Sequence, residues 1–304
     1  MPGYRILYEG KKERHCYPIT DAFEPAWDPE YDTYHLFHHH GVAVESELMA
    51  YRIYFDKKQT IDVYCKRTPR LELAQSCWYP NDRLLAEHYG DDILRVGGTI
   101  GVGSVNFWRN GKLCHFENVG ERGQRIVMQN DSVAVISVSD VDWTVPGKRQ
   151  MANFQADYTM KAGHRDMRCD VTVSEPVEGL CTGVQTIPAK GNNDQSSIIN
   201  YQLPNGVLLA SFGTDFPVND TVKYAKETVG LGVFIPKEYA GELVHNKSNN
   251  LCLLKLSEVS REYNKEYQAH FYLTCVGVTK EDHPVATNAT EWYEYLREWA
   301  KSLK

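Results

Sequence analysis

The sequence contains no stretch approaching the ~20 consecutive apolar residues that a membrane-crossing helix needs, which excludes a helical span. Its opening, "MPGYRILYEGKKERHC", has no apolar signal core; a cytoplasmic chain, or one whose leader has been removed, is expected. Basic runs longer than a few residues are also missing, and the formal charge is −7. A nucleic-acid or anionic-membrane partner is therefore not expected, and an anionic substrate would need a local basic pocket working against the overall field. Eight cysteines are present, but none forms a CxxC pair or a zinc spacing. Several sit inside apolar, strand-like runs, so buried free thiols are expected. GxSxG, HExxH and kinase signatures are absent, as are repeats at solenoid periods and low-complexity linkers. "RVGGTIGVGSVNF" carries four glycines but neither GKS/T nor a βαβ setting. It reads as strand-edge glycine that lets backbones approach closely, not as a nucleotide loop.

Helix signals are scarce too. Only "TEWYEYLREWAKSLK" reads firmly as helix, with Trp292, Tyr295, Leu296, Trp299 and Leu303 on one stripe and Thr290 as N-cap. "PNDRLLAEHYGDDILRV" has room for a short helix or lid. Elsewhere the chain alternates with period two. "YRIYFD" points Tyr51, Ile53 and Phe55 one way and Arg52, Tyr54 and Asp56 the other; after "KKQT", "IDVYCK" separates Ile61, Val63 and Cys65 from Asp62, Tyr64 and Lys66. The result is a hairpin with one apolar face and one face of charge and tyrosine. "NFQADYTM", "KAGH" and "RDMRCDVTVSE" make a second hairpin, and "DSVAVISVSDVDW" reads as a strand buried on both faces. The 304 residues alone suggest about two domains, with one large all-β domain as the common exception. Many strands with one helix favour that exception: an all-β, large antiparallel β-sandwich with a short C-terminal helix. Residues 1–33, mixing Pro, Asp and Glu, read as an irregular arm, and 34–304 as the single domain.

Arg52, Tyr54, Asp62, Tyr64 and Lys66 share one side and offer the paired donors, acceptors and cations that sugar hydroxyls and carboxylates require. In "FHHHGVAVESE", His38 and His40 share a side if extended while His39 points away. They could chelate a metal with a third ligand such as Glu45 or Glu47, or one histidine could act as general base or acid. Glu45 and Glu47 fall on the face opposite Arg52, so joining the two sets requires a bulge or bend. "AGHRDMR" presents His164, Arg165 and Asp166, with an imidazole–carboxylate pair at i, i+2. "HYGDD" places His88, Tyr89, Asp91 and Asp92 in a loop.

The run "HHHGVAVESELMAYRIYFDKKQTIDVYCKR" resembles a bacterial family catalogued as domain of unknown function 4861, found in polysaccharide-utilisation loci, particularly of Bacteroidetes. The likeness continues through "LELAQSCWYPNDRLLAEHYGDDILRVGGTIGVGS", "RGQRIVMQNDSVAVISV", "YTMKAGHRDMRCDV" and "GLGVFIPK" to "ATEWYEYLREWAK". Cys65 departs from it, standing where glycine is expected. The resemblance implies a galactose-mutarotase-like supersandwich whose concave sheet binds carbohydrate, uronate-rich glycans as substrates, and a periplasmic location. It places His39, His40, Glu45, Glu47, Arg52, Tyr54, Asp62, Tyr64, Lys66, His88, His164, Arg165 and Asp166 in matching stretches.

The combined expectation is an enzyme that eliminates across C4–C5 of a uronic acid in an acidic oligosaccharide. Arg52, with Lys66, would clamp the carboxylate, while Asp62, Glu45, Glu47, His88, Trp78, Arg165 and Asp166 complete the binding set. His39, His40 or His164 would take the proton, and Tyr54 or Tyr64 would protonate the leaving oxygen. A glycosidase pair of Glu45 or Glu47 with Asp62 or Asp166, a mutarotase-type acid/base pair of His with Glu, and a non-catalytic glycan-binding role are the alternatives. No cofactor is required by the sequence, a divalent metal on His38 and His40 stays open, and the oligomeric state is not readable.

Overall fold

The computed structural model describes residues 21–25, 38–76, 79–187, 198–260 and 265–303. Their strands form three antiparallel sheets. The largest has ten strands, in the order β1 (Asp21–Pro25), β8 (Glu121–Gln129), β9 (Val133–Thr144), β10 (Met151–Lys161), β11 (Met167–Val173), β19 (Lys265–Gly277), β15 (Glu227–Pro236), β14 (Gly206–Asp215) and β13 (Ile198–Leu203), with β18 (Ser257–Ser260) also pairing to β19. A five-stranded sheet runs β16 (Ala240–His245), β17 (Asn249–Leu254), β12 (Leu180–Gln185), β6 (Asn106–Arg109) and β7 (Lys112–Cys114). A four-stranded sheet runs β2 (Gly41–Glu45), β3 (Met49–Tyr54), β4 (Ile61–Cys65) and β5 (Asp91–Asp92). Isolated bridges from Ile61 to Gly101 and from Val102 to Val184 stitch the two smaller sheets into one layer.

Period-two alternation explains the sandwich between them. Tyr51, Ile53, Ile61 and Val63 from the four-stranded sheet and Phe107 and Val184 from the five-stranded one meet Ile136, Val138, Val171, Leu231, Phe271 and Leu273 of the large sheet in one core. The opposite face of the large sheet is covered at one end by helix α2 (Ala289–Ser302), whose Trp292, Leu296 and Trp299 pack on Leu208, Ala210, Phe234 and Val276. Gly230 and Gly232 are needed there, since a Cβ at either would run into Trp292 or Leu296. The N-cap is Asn288, not Thr290: its side chain accepts from the Glu291 amide, and Glu291 in turn accepts from Thr287.

Two further expectations change. Within the stretch read as an irregular arm, Asp21–Pro25 adds an edge strand to β8, with Asp21 opposite Arg125; Pro25 is tolerated because it ends an edge strand. β9 is hydrogen-bonded on both sides but covered on one face only. Ile136 and Val138 are buried whereas Val141 is exposed, because α2 packs over β14 and β15 instead. The described cysteines are free thiols, buried except for the half-exposed Cys114; Cys16 and Cys77 lie outside the described residues. Cys65 sits in the apolar core.

Gly101 is the tightest point of the seam between the smaller sheets. Its φ is +61°, and a Cβ would press into the Ile61 carbonyl. Gly101→Ala should therefore lose about 1–3 kcal/mol in chemical denaturation; an unchanged midpoint would show that the seam tolerates a side chain.

Candidate functional site

The outer face of the four-stranded sheet carries the polar residues that alternation assigned to it. Arg52 on β3 stands opposite Asp62 on β4, and Tyr54 follows two residues on. The Arg52 Nη2 lies 2.5 Å from Asp62 Oδ2 and 2.6 Å from Asp92 Oδ2, and the Tyr54 hydroxyl donates to Asp62 Oδ2 at 2.5 Å. This face is covered rather than open, because the chain after Lys66 folds back over it. Leu73 packs on Ala50 and Tyr64. Glu72 accepts from the Gly90 amide at 2.8 Å and from Arg70 Nε at 2.8 Å. A Cβ on Gly90 would collide with the Cys65 backbone, so glycine lets the chain close onto β4 and deliver Asp91 and Asp92.

Two carboxyl groups thus share one guanidinium away from water. Burial and the neighbouring Asp62 charge push the Asp92 carboxyl well above the usual carboxylate range. Burial opposes the charge on Arg52, but Asp62 and Asp92 outweigh it and hold the guanidinium firmly cationic. Burial and then Asp62 raise the Tyr54 phenol, which keeps its proton. The raised Asp92 pKa moves the cluster towards net neutrality, the arrangement that costs least in a low-dielectric site.

Tyr54 and Asp92 form the buried end of a cleft of about 830 Å³. Tyr79, Lys58, Arg95, Gln185, Asp215 and Lys247 line the rest. The Arg95 guanidinium reaches Asp215 at 3.3 Å and Asn219 at 3.4 Å, and Lys58 Nζ lies 3.2 Å from the Gly97 carbonyl. Tyr79 presents its ring 5.7 Å from the Arg52 guanidinium carbon.

The histidine run is not extended. His38–His40 is a short 3₁₀ turn in which His39 and His40 have φ of 57° and 60°. Gly41 follows at φ 155°, where a Cβ would strike the Ile53 carbonyl. Two successive left-handed non-glycine residues are strained backbone of the kind found at functional sites. The turn sets the His40 ring edge-on to Tyr54, with centroids 6.0 Å apart, and His39 Nε2 3.0 Å from the Leu73 carbonyl. The expected alternation of the three rings therefore does not hold, and the His38 side chain lies outside the described residues. Among the described residues no three His, Cys, Asp or Glu side chains are grouped to hold a metal ion.

Glu45 lies on the same face as Arg52, not opposite it. It pairs with Ala50, and the reversal at residues 46–48 resets the parity that counting straight through would give. Its carboxylate takes Lys66 Nζ at 2.5 Å and the amides of Glu72 and Leu73 at 2.8 and 3.1 Å. Lys66 also donates to the carbonyls of Ser46 and Arg70. Burial lowers its pKa against the pull of Glu45. This pair fastens the covering segment. Tyr64 is buried and donates to the Gly90 carbonyl at 3.0 Å, which takes it out of reach of a ligand.

The remaining candidates are elsewhere. Glu47 accepts from the Gly163 amide and Ser46 donates to the His164 carbonyl, so Glu47, His164 and Asp166 sit at the Met49 end of β3. Tyr54 is at its other end, about 17 Å away at ~3.4 Å per residue. His164 is half exposed, 3.2 Å from Asp166. Arg165 is buried in an ion pair with Glu281 at 3.0 Å. His88 is exposed just past the short helix α1 (Asp82–Ala86). Trp78 lies outside the described residues. Conversely, Asp92, Arg95, Lys58, Asp215 and Lys247 were not expected as cleft residues; only Asp92 had a local signal, in "GDD" after the close-packed Gly90.

The raised Asp92 pKa has two consequences. A protonated-carboxyl infrared band should persist to higher pH than that of a solvated aspartate and vanish in Asp92→Asn. Because the folded pKa is raised, the native state holds a proton that the unfolded chain releases near pH ~4. Stability should therefore fall as pH rises from there through the folded value, and Asp92→Asn should flatten that slope. A band or slope unchanged by the substitution would contradict the raised Asp92 pKa.

No curated protein matches the chain. A family model does, described as Domain of unknown function (DUF4861) and matching residues 5–304, so it spans the edge strand, the covering segment, the cleft-lining loops and α2 alike. The covered Arg52 cluster and its cleft are thus features of a chain that belongs, over essentially its whole length, to the DUF4861 family.

Proposed function

We propose that the chain is a carbohydrate-active enzyme that binds a uronate-containing oligosaccharide in the cleft and cleaves it by β-elimination. The observation that carries this reading is the meeting of Tyr54 and Asp92 at the buried end of a cleft whose walls carry Lys58, Arg95 and Lys247. Phenol and carboxyl groups that keep their protons are suited to donation, and the cations offer charge to a sugar carboxylate. Arg52 is not the clamp, since two carboxyl groups already enclose it; its part is to hold Tyr54, Asp62 and Asp92 in place.

In the proposed step, the wall cations neutralise the uronate carboxylate and acidify C5–H. The imidazole of His40, edge-on to Tyr54, takes that proton. The electron pair forms C4=C5, the C4–O bond breaks, and the Tyr54 hydroxyl protonates the departing oxygen. Products are an unsaturated uronate and a free hydroxyl, and proton return from His40 to Tyr54 restores the enzyme. One observation favours hydrolysis as a second reading: Asp92, whose carboxyl pKa is raised by burial, and Asp215 both line the cleft, as an acid and a carboxylate partner would.

Incubation with glucuronate- and galacturonate-containing oligosaccharides should release ultraviolet-absorbing unsaturated uronate. Tyr54→Phe should reduce that rate by about 10²–10⁴-fold while the protein stays folded by circular dichroism. Saturated reducing ends alone would establish the hydrolytic reading, and binding without any product would reduce the chain to a glycan-binding protein.

A further inference from the structure

A second cavity, of about 570 Å³, adjoins the cleft. Gly98, Thr99, Lys247 and Ser248 line both, so the two adjoin and together outline a groove. Each volume is within the ~300–1,000 Å³ that holds one small ligand, and together they exceed what a single sugar ring fills.

The second cavity has its own chemistry. Lys112 and Lys247 line it together with Asn246 and Ser248, and no carboxylate does. Both lysines are exposed, and among the described residues neither is ion-paired. On a chain of net charge −7 this is a local reversal of sign, which favours an anionic ligand.

The junction between the cavities carries an independent sign. A Cβ on Gly98 would meet nothing within 4 Å, and its φ lies outside the left-handed range. Neither packing nor backbone conformation calls for glycine at that position. A side chain there would project into the open space where the two cavities adjoin.

We infer that the groove takes an extended acidic oligosaccharide lying across Gly98, with Lys112 binding an anionic group several sugar units away from Tyr54. The enzyme acts on chains and not on single uronic acids. This rests on the reading that the Tyr54 cleft binds an acidic saccharide, and it adds a distal subsite and a length preference.

Calorimetry with di-, tetra- and hexasaccharides of galacturonate tests it on the intact protein. Wild-type affinity should rise at least about tenfold from di- to hexasaccharide. Gly98→Leu, whose Cβ meets nothing within 4 Å, should lose that length-dependent gain. Lys112→Ala should weaken hexasaccharide alone, by up to about fivefold, with the difference shrinking as salt is raised. Equal affinity at all lengths, or a gain that survives Gly98→Leu, would overturn the extended groove and leave the cleft reading standing. No binding of any acidic saccharide would overturn both.

Discussion

One guanidinium shared by two carboxyl groups out of water governs this structure. A buried charge is tolerated only when it is paired and its hydrogen-bonding capacity is met. Arg52 meets that condition with Asp62 from the adjacent strand and Asp92 from the far end of the covering segment. The demand thereby fixes where the chain must return after its excursion through residues 66–90. The same demand raises Asp92 and leaves Tyr54, through its bond to Asp62, facing the cleft with its proton in place.

Around this cluster the fold provides rigidity of two kinds. The sandwich core anchors the inner faces of β3 and β4 through Tyr51, Ile53, Ile61 and Val63. On the outer face, Glu45, Lys66, Glu72 and Arg70 tie the covering segment down with charge-assisted hydrogen bonds. Residues that resemble ligand contacts when viewed as isolated side chains therefore act as fasteners. The cleft itself is built by loops that meet at the junction of the two smaller sheets, where Gly101 lets the seam close.

Period-two alternation made the polar hairpin face legible, including the Arg52–Asp62 partnership, because antiparallel pairing forces facing residues to the same side. It could not reveal that the face is covered, since burial of polar residues follows from a distant segment. Glu45 was assigned to the wrong face because parity carries along a strand but not around the turn at 46–48. The left-handed pair His39 and His40 was equally hidden: histidine does not signal positive φ as glycine does. Lys58, Arg95, Asp215 and Lys247 come from four separate stretches of chain, and only topology brings them to one cleft. The strand-edge role of the glycines near residue 100 was readable, whereas the open Gly98 has meaning only beside its groove.

We propose Tyr54 as the reacting end of a saccharide-binding cleft. The most direct measurement is a crystal structure of the Tyr54→Phe protein soaked with a uronate oligosaccharide. The expected result is a sugar chain in the cleft, its carboxylate on Lys58, Arg95 or Lys247 and a glycosidic oxygen within about 3–4 Å of the Phe ring edge that replaces the hydroxyl. A saccharide bound on another surface, with the cleft filled by solvent alone, would contradict it.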